Sequence, residues 1–154
     1  MKNTIKLLLV SLFVFLTSCI TETDNPRIDY DFEIANSSGE NIKILAFRDD
    51  ILMKETRIPN NKIYFESFSS SAADQGYNFR DVLGGDSIKV IYGNEKIEFF
   101  KCYRFINQDE GCEKPRNILS VFQDNDDNDR IFLNQYTFTE SDYENAEDCD
   151  GICE

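Results

Sequence analysis

The chain contains no histidine and no tryptophan. Without imidazole it lacks the side chain most often used as a general base near neutral pH, so Ser-His and Cys-His nucleophilic catalysis in their usual form are excluded. The missing indole lowers the prospect of a sugar-binding platform of the usual aromatic kind. Positive charge is also scarce: 16 Lys and Arg stand against 29 Asp and Glu, a formal charge of −13. Such a chain repels phosphate backbones and anionic lipid surfaces. Nucleic acid is therefore not an expected partner, and a basic membrane-binding face is not expected either. The acidity itself needs no purpose beyond solubility. The longest strongly apolar run, Leu7 to Leu16, is interrupted only by Ser11 and falls far short of the roughly 20 residues that span a bilayer as a helix.

That short run has informative flanks. Lys2 and Lys6 precede it, and Leu16-Thr17-Ser18-Cys19 closes it with small residues before a cysteine. Basic start, short apolar core and small-residue ending are the layout of a secretory leader. The segment Leu16-Thr17-Ser18-Cys19 resembles the lipobox of bacterial lipoproteins. The resemblance implies that residues 1–18 are removed and that Cys19 is acylated and becomes the mature N-terminus. It also implies stable attachment, because that family's anchor carries several acyl chains and one alone holds only reversibly. Losing Lys2 and Lys6 with the leader takes the formal charge from −13 to −15. Ile20 is not the Asp that favours inner-membrane retention in enteric lipoproteins, so outer-membrane sorting is expected. Glu22 and Asp24 are similar to surface-export signals of Bacteroidota-type lipoproteins, although solvated tether residues would look the same. Residues 19–26, ending in Pro26, read as a tether. Residues 27–154 then suit one domain.

Strict alternation begins at Ile28, Tyr30, Phe32 and Ile34 against Asp29, Asp31 and Glu33, the pattern of a strand with one buried and one acidic face. Asn36-Ser37-Ser38-Gly39 supplies turn chemistry, and Asn41 to Phe47 returns as a second strand, so the two are expected to pair as a hairpin. Arg48-Asp49-Asp50 is a polar break before a strand over Ile51 to Ile58. Pro59-Asn60-Asn61 turns into another over Lys62 to Phe68. Residues 72–83 read as loop, with a helical turn around Phe79 to Leu83. Strands follow over Asp86 to Tyr92 and Lys96 to Phe105, and Gly93-Asn94 between them signals a hairpin. Asn117 to Phe122 is a short strand or a turn, and Arg130 to Phe138 is a strand. Thr139 with Asp142 forms a capping box, which predicts a short helix over Tyr143 to Asp148. Seven or eight short strands without a long amphipathic helix predict an all-β, antiparallel β-sandwich, immunoglobulin-like or related, with a short C-terminal helix. Tyr136-Thr137-Phe138-Thr139-Glu140-Ser141-Asp142-Tyr143, leading into Cys149, is similar to small lipoproteins of flavobacterial type, a likeness that supplies no function.

With Cys19 lipidated, Cys102, Cys112, Cys149 and Cys153 remain, an even count that reads as two disulfides in an exported domain. A four-thiolate zinc site is the competing reading. It is disfavoured because only Cys149 and Cys153 are close, at a spacing of four, and no His accompanies them. Three connectivities are open. Pairing Cys102 with Cys112 and Cys149 with Cys153 closes two short loops, the first adding about 2.5 to 3 kcal/mol in the chain-entropy account. Pairing Cys102 with Cys149 would instead staple the C-terminal helix to the sheet.

Asp124, Asp126 and Asn128 occupy positions one, three and five of an EF-hand-like calcium loop. The pattern then breaks, since Asp129 replaces the glycine and Gln135 the final glutamate, and a solvated acidic turn explains the stretch better. Carboxylate pairs could do acid and base work, as in glycosidases, but among 29 acids a chance pair is nearly assured. Tyr77, Tyr92 and Tyr103 read as half-buried strand residues before a binding platform. Asp86-Ser87-Ile88 matches the Asp-Ser-apolar O-glycosylation pattern of Bacteroidota-type systems, a three-residue match that recurs by chance. The sequence thus predicts a lipid-anchored, outer-membrane, non-catalytic module without cofactor, working through protein or glycan contacts. The alternatives are a secreted enzyme using carboxylates and a calcium-dependent binding module.

Overall fold

A computed structural model describes residues 27–70, 77–102, 112, 116–120, 131–149, 151 and 153. The elements in chain order are β1 (Ile28–Ser37), β2 (Ile42–Arg48), β3 (Ile51–Ile58), β4 (Lys62–Ser70), α1 (Phe79–Leu83), β5 (Ser87–Tyr92), β6 (Lys96–Lys101), a 3-10 turn (Ile118–Ser120), β7 (Ile131–Thr139), α2 (Glu140–Asn145) and β8 (Glu147–Asp148). They form a three-stranded sheet in the order β4-β1-β7 and a five-stranded sheet in the order β3-β2-β5-β6-β8. The result is the mostly antiparallel β architecture with a short C-terminal helix that the alternation predicts.

Alternation explains how the sheets face each other. Tyr30, Phe32 and Ile34 of β1, with Phe132, Tyr136 and Phe138 of β7, form one inner surface. Ile42, Ile44 and Ala46 of β2, with Ile88, Val90 and Tyr92 of β5, form the other, and all belong to one core cluster. Each fully buried Phe or Ile contributes roughly 1.5–3 kcal/mol of apolar transfer. α1 closes the gap between the sheets with Phe79, Val82 and Leu83, and Phe79 meets Phe32 edge-on at 5.3 Å between ring centroids. Its ends are chemically marked. Asn78 accepts from the Arg80 N–H at 2.8 Å, Asp81 accepts from the Asn78 N–H, and Gly84 stops the helix at φ +78°.

Several expectations need correction. β1 and β2 do not form a hairpin: β1 pairs with β4 and β7, and β2 pairs with β3 and β5. The connection after Ser37 crosses between sheets, because the apolar faces of both strands satisfy each other across the core. The hairpin is β2–β3, and Asp49 and Asp50 at φ +50° and +63° form its two-residue link. Such a link matches the twist of flanking strands, and short acidic side chains tolerate positive φ. The sheets are not wholly antiparallel either, since β1 runs parallel to β7 with Asp29 opposite Ile131 and Ser37 opposite Thr139. The β5–β6 hairpin holds, with Glu95 joining Gly93 and Asn94 in its loop. β6 covers Lys96–Lys101, and residues 103–105 of the expected strand lie outside the described residues. Residues 118–120 form a 3-10 turn. The C-terminal helix starts at Glu140, directly after its N-cap Thr139, whose capping box Asp142 completes from the first turn, and stops at Asn145, after which β8 pairs with β6.

Both short-loop disulfides form. Cys102 and Cys112 also make an isolated antiparallel bridge, with Cα atoms 4.1 Å apart, and Cys149 and Cys153 lie 5.5 Å apart. These pairings exclude the interleaved one.

Candidate functional site

The pairing of β1 with β4 runs from Ile28 opposite Ser70 to Asn36 opposite Lys62, so residue 27 and the β1–β2 turn sit at opposite ends of the sandwich. Nine strand residues separate them by roughly 30 Å. At the far end, three turns from distant parts of the chain converge: 38–41, 59–61 and 93–95.

They are tied by buried and half-buried amides. Asn36, 1% exposed, donates through Nδ2 to the carbonyls of Glu40 and Ile58, both at 2.8 Å. Its Oδ1 accepts from the Ser38 N–H at 3.1 Å and the Ser38 hydroxyl at 2.7 Å. The Asn60 N–H donates to Asn41 Oδ1, Asn60 Nδ2 to the Gly39 carbonyl, and the Gly93 N–H to the Asn41 carbonyl. Glycine suits position 93 because of its φ of +58°; the nearest atom to an added Cβ, Glu40 Oε2 at 2.8 Å, is the end of a side chain that can swing aside.

Beside this network, on the outer face of the five-stranded sheet, lies a depression of about 590 Å³. Glu40, Asn41, Lys43, Arg57, Pro59, Ile91 and Asn94 are among its lining residues. Lys43 stands in register between Arg57 and Ile91. Two cations directly opposite on neighbouring strands repel, and Glu55 relieves only one of them, at 2.6 Å from Arg57 Nε. Among the described residues Lys43 has no ion-pair partner. Fixed amides, a carboxylate and two cations around an apolar floor suit recognition of a polar ligand by hydrogen bonds and charge.

A second polar cluster sits where β5, β6, β7 and α2 meet. The Tyr92 hydroxyl donates to Glu98 Oε2 at 3.0 Å. The Arg116 guanidinium lies 5.0 Å over the Tyr136 ring and donates to Asp142 and to the Thr137 carbonyl. Burial drives the Tyr92 and Tyr136 phenols well above their ordinary range. Burial also opposes ionisation of Asp142, yet the bonds from Arg116 and Thr139 outweigh it and hold the carboxyl below its usual value. Each acid is therefore engaged, Glu98 by Tyr92 and Asp142 by Arg116 and Thr139. The cluster braces α2 against the sheets.

The residues singled out by sequence are distributed as follows. Cys102, Cys112, Cys149 and Cys153 are disulfide-bonded. Cys19 lies outside the described residues, as do Asp124, Asp126, Asn128 and Tyr103. Tyr77 stacks on Phe68 at 5.1 Å and meets Tyr30 edge-on, and Tyr92 is buried. Tyr92 is a core aromatic, and Tyr77 packs half-buried against the core. Ser87 opens β5 half-buried, opposite Phe47 and Lys101. Sequence reasoning did not single out Lys43, Arg57, Asn41 or Asn94 as a group. Only Gly93-Asn94 carried a signal, and it marked a turn. Comparison with known proteins gave no match: no family model fits the chain, and no curated protein and no solved structure matches it.

Proposed function

We propose that the chain is a lipid-anchored module of the bacterial cell envelope, held at the outer membrane, that acts through non-catalytic contacts with a protein or glycan. The observation that carries this reading is Leu16-Thr17-Ser18-Cys19 closing a short apolar run behind Lys2 and Lys6. The layout of the sandwich supports it. The tether would join the domain at residue 27, and the depression bearing Lys43 and Arg57 opens roughly 30 Å away, turned from the anchored end.

The test is metabolic labelling of cells with a clickable fatty acid, followed by fractionation and protease shaving. Wild type is expected to carry label and stay with membranes, whereas Cys19→Ala loses the label and is not retained by an anchor. Unlabelled wild type in the soluble fraction would overturn the reading. Shaving of intact cells then decides which membrane face displays the domain.

A further inference from the structure

The two outer faces of the sandwich differ in charge, and both expose apolar side chains. On the three-stranded sheet, register puts Asp29, Asp31 and Glu33 in a central row. Ile63 and Phe65 of β4, 61% and 56% exposed, stand beside Ala35 and Glu33 at one end of the row, and Ile131 and Leu133 of β7, 63% and 38% exposed, beside Asp29 and Asp31 at the other. Ser69 and Ser67 stand across the row from Ile131 and Leu133, and Gln135 across from Phe65, so the face is an acidic row, with Asp29 paired to Arg27 at 3.1 Å, and an exposed apolar pair at each of two diagonal corners. On the five-stranded sheet the same register argument puts, among the described residues, Lys43, Arg57, Lys89 and Lys101 on the outside, together with the acids Glu55, which pairs with Arg57, and Glu147. Phe99 is 54% exposed on that face, and Leu45 and Phe47 are half-buried there.

We propose that the acidic face of one copy docks on the basic face of a second copy of this chain. Charge selects this arrangement. Two acidic faces brought together would oppose their Asp29, Asp31 and Glu33 rows, and two basic faces would oppose Lys43, Arg57 and Lys89. Only front-to-back stacking sets unlike charges against each other while covering Ile63, Phe65, Ile131 and Leu133. Such a contact uses different patches on the two partners, so it repeats and builds open rows instead of closed dimers.

The orientation within a row rests on the proposed lipid anchor. Stacking by near-translation, strands aligned, leaves every residue 27 on the same side, which suits copies tethered to one bilayer. The contact itself does not need the anchor. Three strands about 4.8 Å apart and some 30 Å long give a face of roughly 400 Å², at the weak end of specific interfaces. Rows are therefore expected where copies are concentrated, on a membrane or in concentrated solution.

The test is zero-length carboxyl-to-amine cross-linking of the full chain, on membranes and as purified protein at high concentration, with cross-linked peptides mapped. The expected product is a ladder of multiples, joining the Asp29–Glu33 segment of one copy to Lys43 or Lys89 of another and fading as salt rises. Asp31→Lys with Glu33→Lys should reduce the ladder about tenfold or more, as should Lys43→Glu with Lys89→Glu. An equal mixture of the two variants should restore it, because each then meets a face of opposite sign. The sites are on the sandwich exterior, and thermal melts of each variant check folding. A ladder in purified protein that is missing from membranes supports the contact and counts against the anchor. Wild type that stays single in both settings, a ladder indifferent to salt, or a mixture that fails to restore it overturns the proposal.

Discussion

Asn36 holds the crossing from one sheet to the other, and its replacement gives a direct measure of what that crossing costs. Its side chain makes four hydrogen bonds, and two of the groups it serves, the Ile58 carbonyl and the Ser38 N–H, are paired with it in buried surroundings. Asn36→Ala leaves those two without that partner, at about 1–3 kcal/mol each. The Glu40 carbonyl keeps the Ser38 hydroxyl at 3.1 Å and so loses less. A loss of about 2–5 kcal/mol is expected, a large part of the 5–15 kcal/mol typical of a domain. For a domain of this size it corresponds to a melting temperature lower by roughly 8–20 °C. Urea and thermal unfolding of the oxidised full chain, followed by circular dichroism, read both quantities. Asn36→Asp supplies the sign. It keeps an acceptor for Ser38 but turns a carboxylate toward the Glu40 and Ile58 carbonyls, so its folded pKa must rise above the unfolded value near 3.9. Its deficit relative to wild type should therefore grow as pH rises past about 4 and shrink as pH falls. The exposed Ser37→Ala is the control, within about 0.5 kcal/mol of wild type. An Asn36→Ala protein that melts within about 3 °C of wild type would refute the assignment of the crossing to this side chain.

Two glycines give a contrast of mechanism. Gly85→Ala puts a Cβ 2.4 Å from the Phe47 carbonyl oxygen, where the Asp86 N–H also bonds, so the backbone must shift and a loss of several kcal/mol in urea unfolding is expected. Gly39→Ala meets no atom within 4 Å and pays only for its φ of +91°, about 1–2 kcal/mol; equal losses at the two sites would contradict the geometry. Replacing Cys102 and Cys112 together by Ser opens a link of sequence separation 10 and should cost about 2–3 kcal/mol, with thiol titration of the unreduced, denatured wild type finding none of the four sandwich cysteines free. Lys54 joins the sheets, with Nζ 2.9 Å from Tyr64 Oη, 2.8 Å from Glu66 Oε2 and 2.9 Å from the Val82 carbonyl. Burial opposes the charge on Glu66, but the bonds from Lys54 and Tyr64 win and lower its pKa below the ordinary 4.5. Its stabilisation is thus present above that value and lost as pH falls through the folded one. Lys54, raised above 10.5 by Glu66 and Tyr64 against burial, contributes below 10.5 and loses its contribution as pH rises through its folded pKa. Glu66→Gln should flatten the acid limb of melting temperature against pH, and an unchanged limb would count against the pair.

The sequence by itself determined the elements whose signals are local. Ile28, Tyr30, Phe32 and Ile34 alternate with acids and form a strand. Gly93-Asn94 turns β5 into β6, and Thr139 with Asp142 starts α2. The cysteine count and the short loops pointed to the bridges that form. What the tertiary structure alone decided was which strand lies beside which. β1, β2 and β7 carry much the same period-two pattern, so alternation says which face is buried without naming the partner. The Asn36–Asn41 connection thus read as a hairpin although its strands oppose each other across the core. The parallel β1–β7 pair joins segments about a hundred residues apart, and no local signal could announce it. The depression holding Lys43, Arg57, Asn41 and Asn94 was hidden for the same reason: its walls are three unrelated turns, brought to one end of the sandwich by strand order and fixed there by the Asn36 and Asn60 amides.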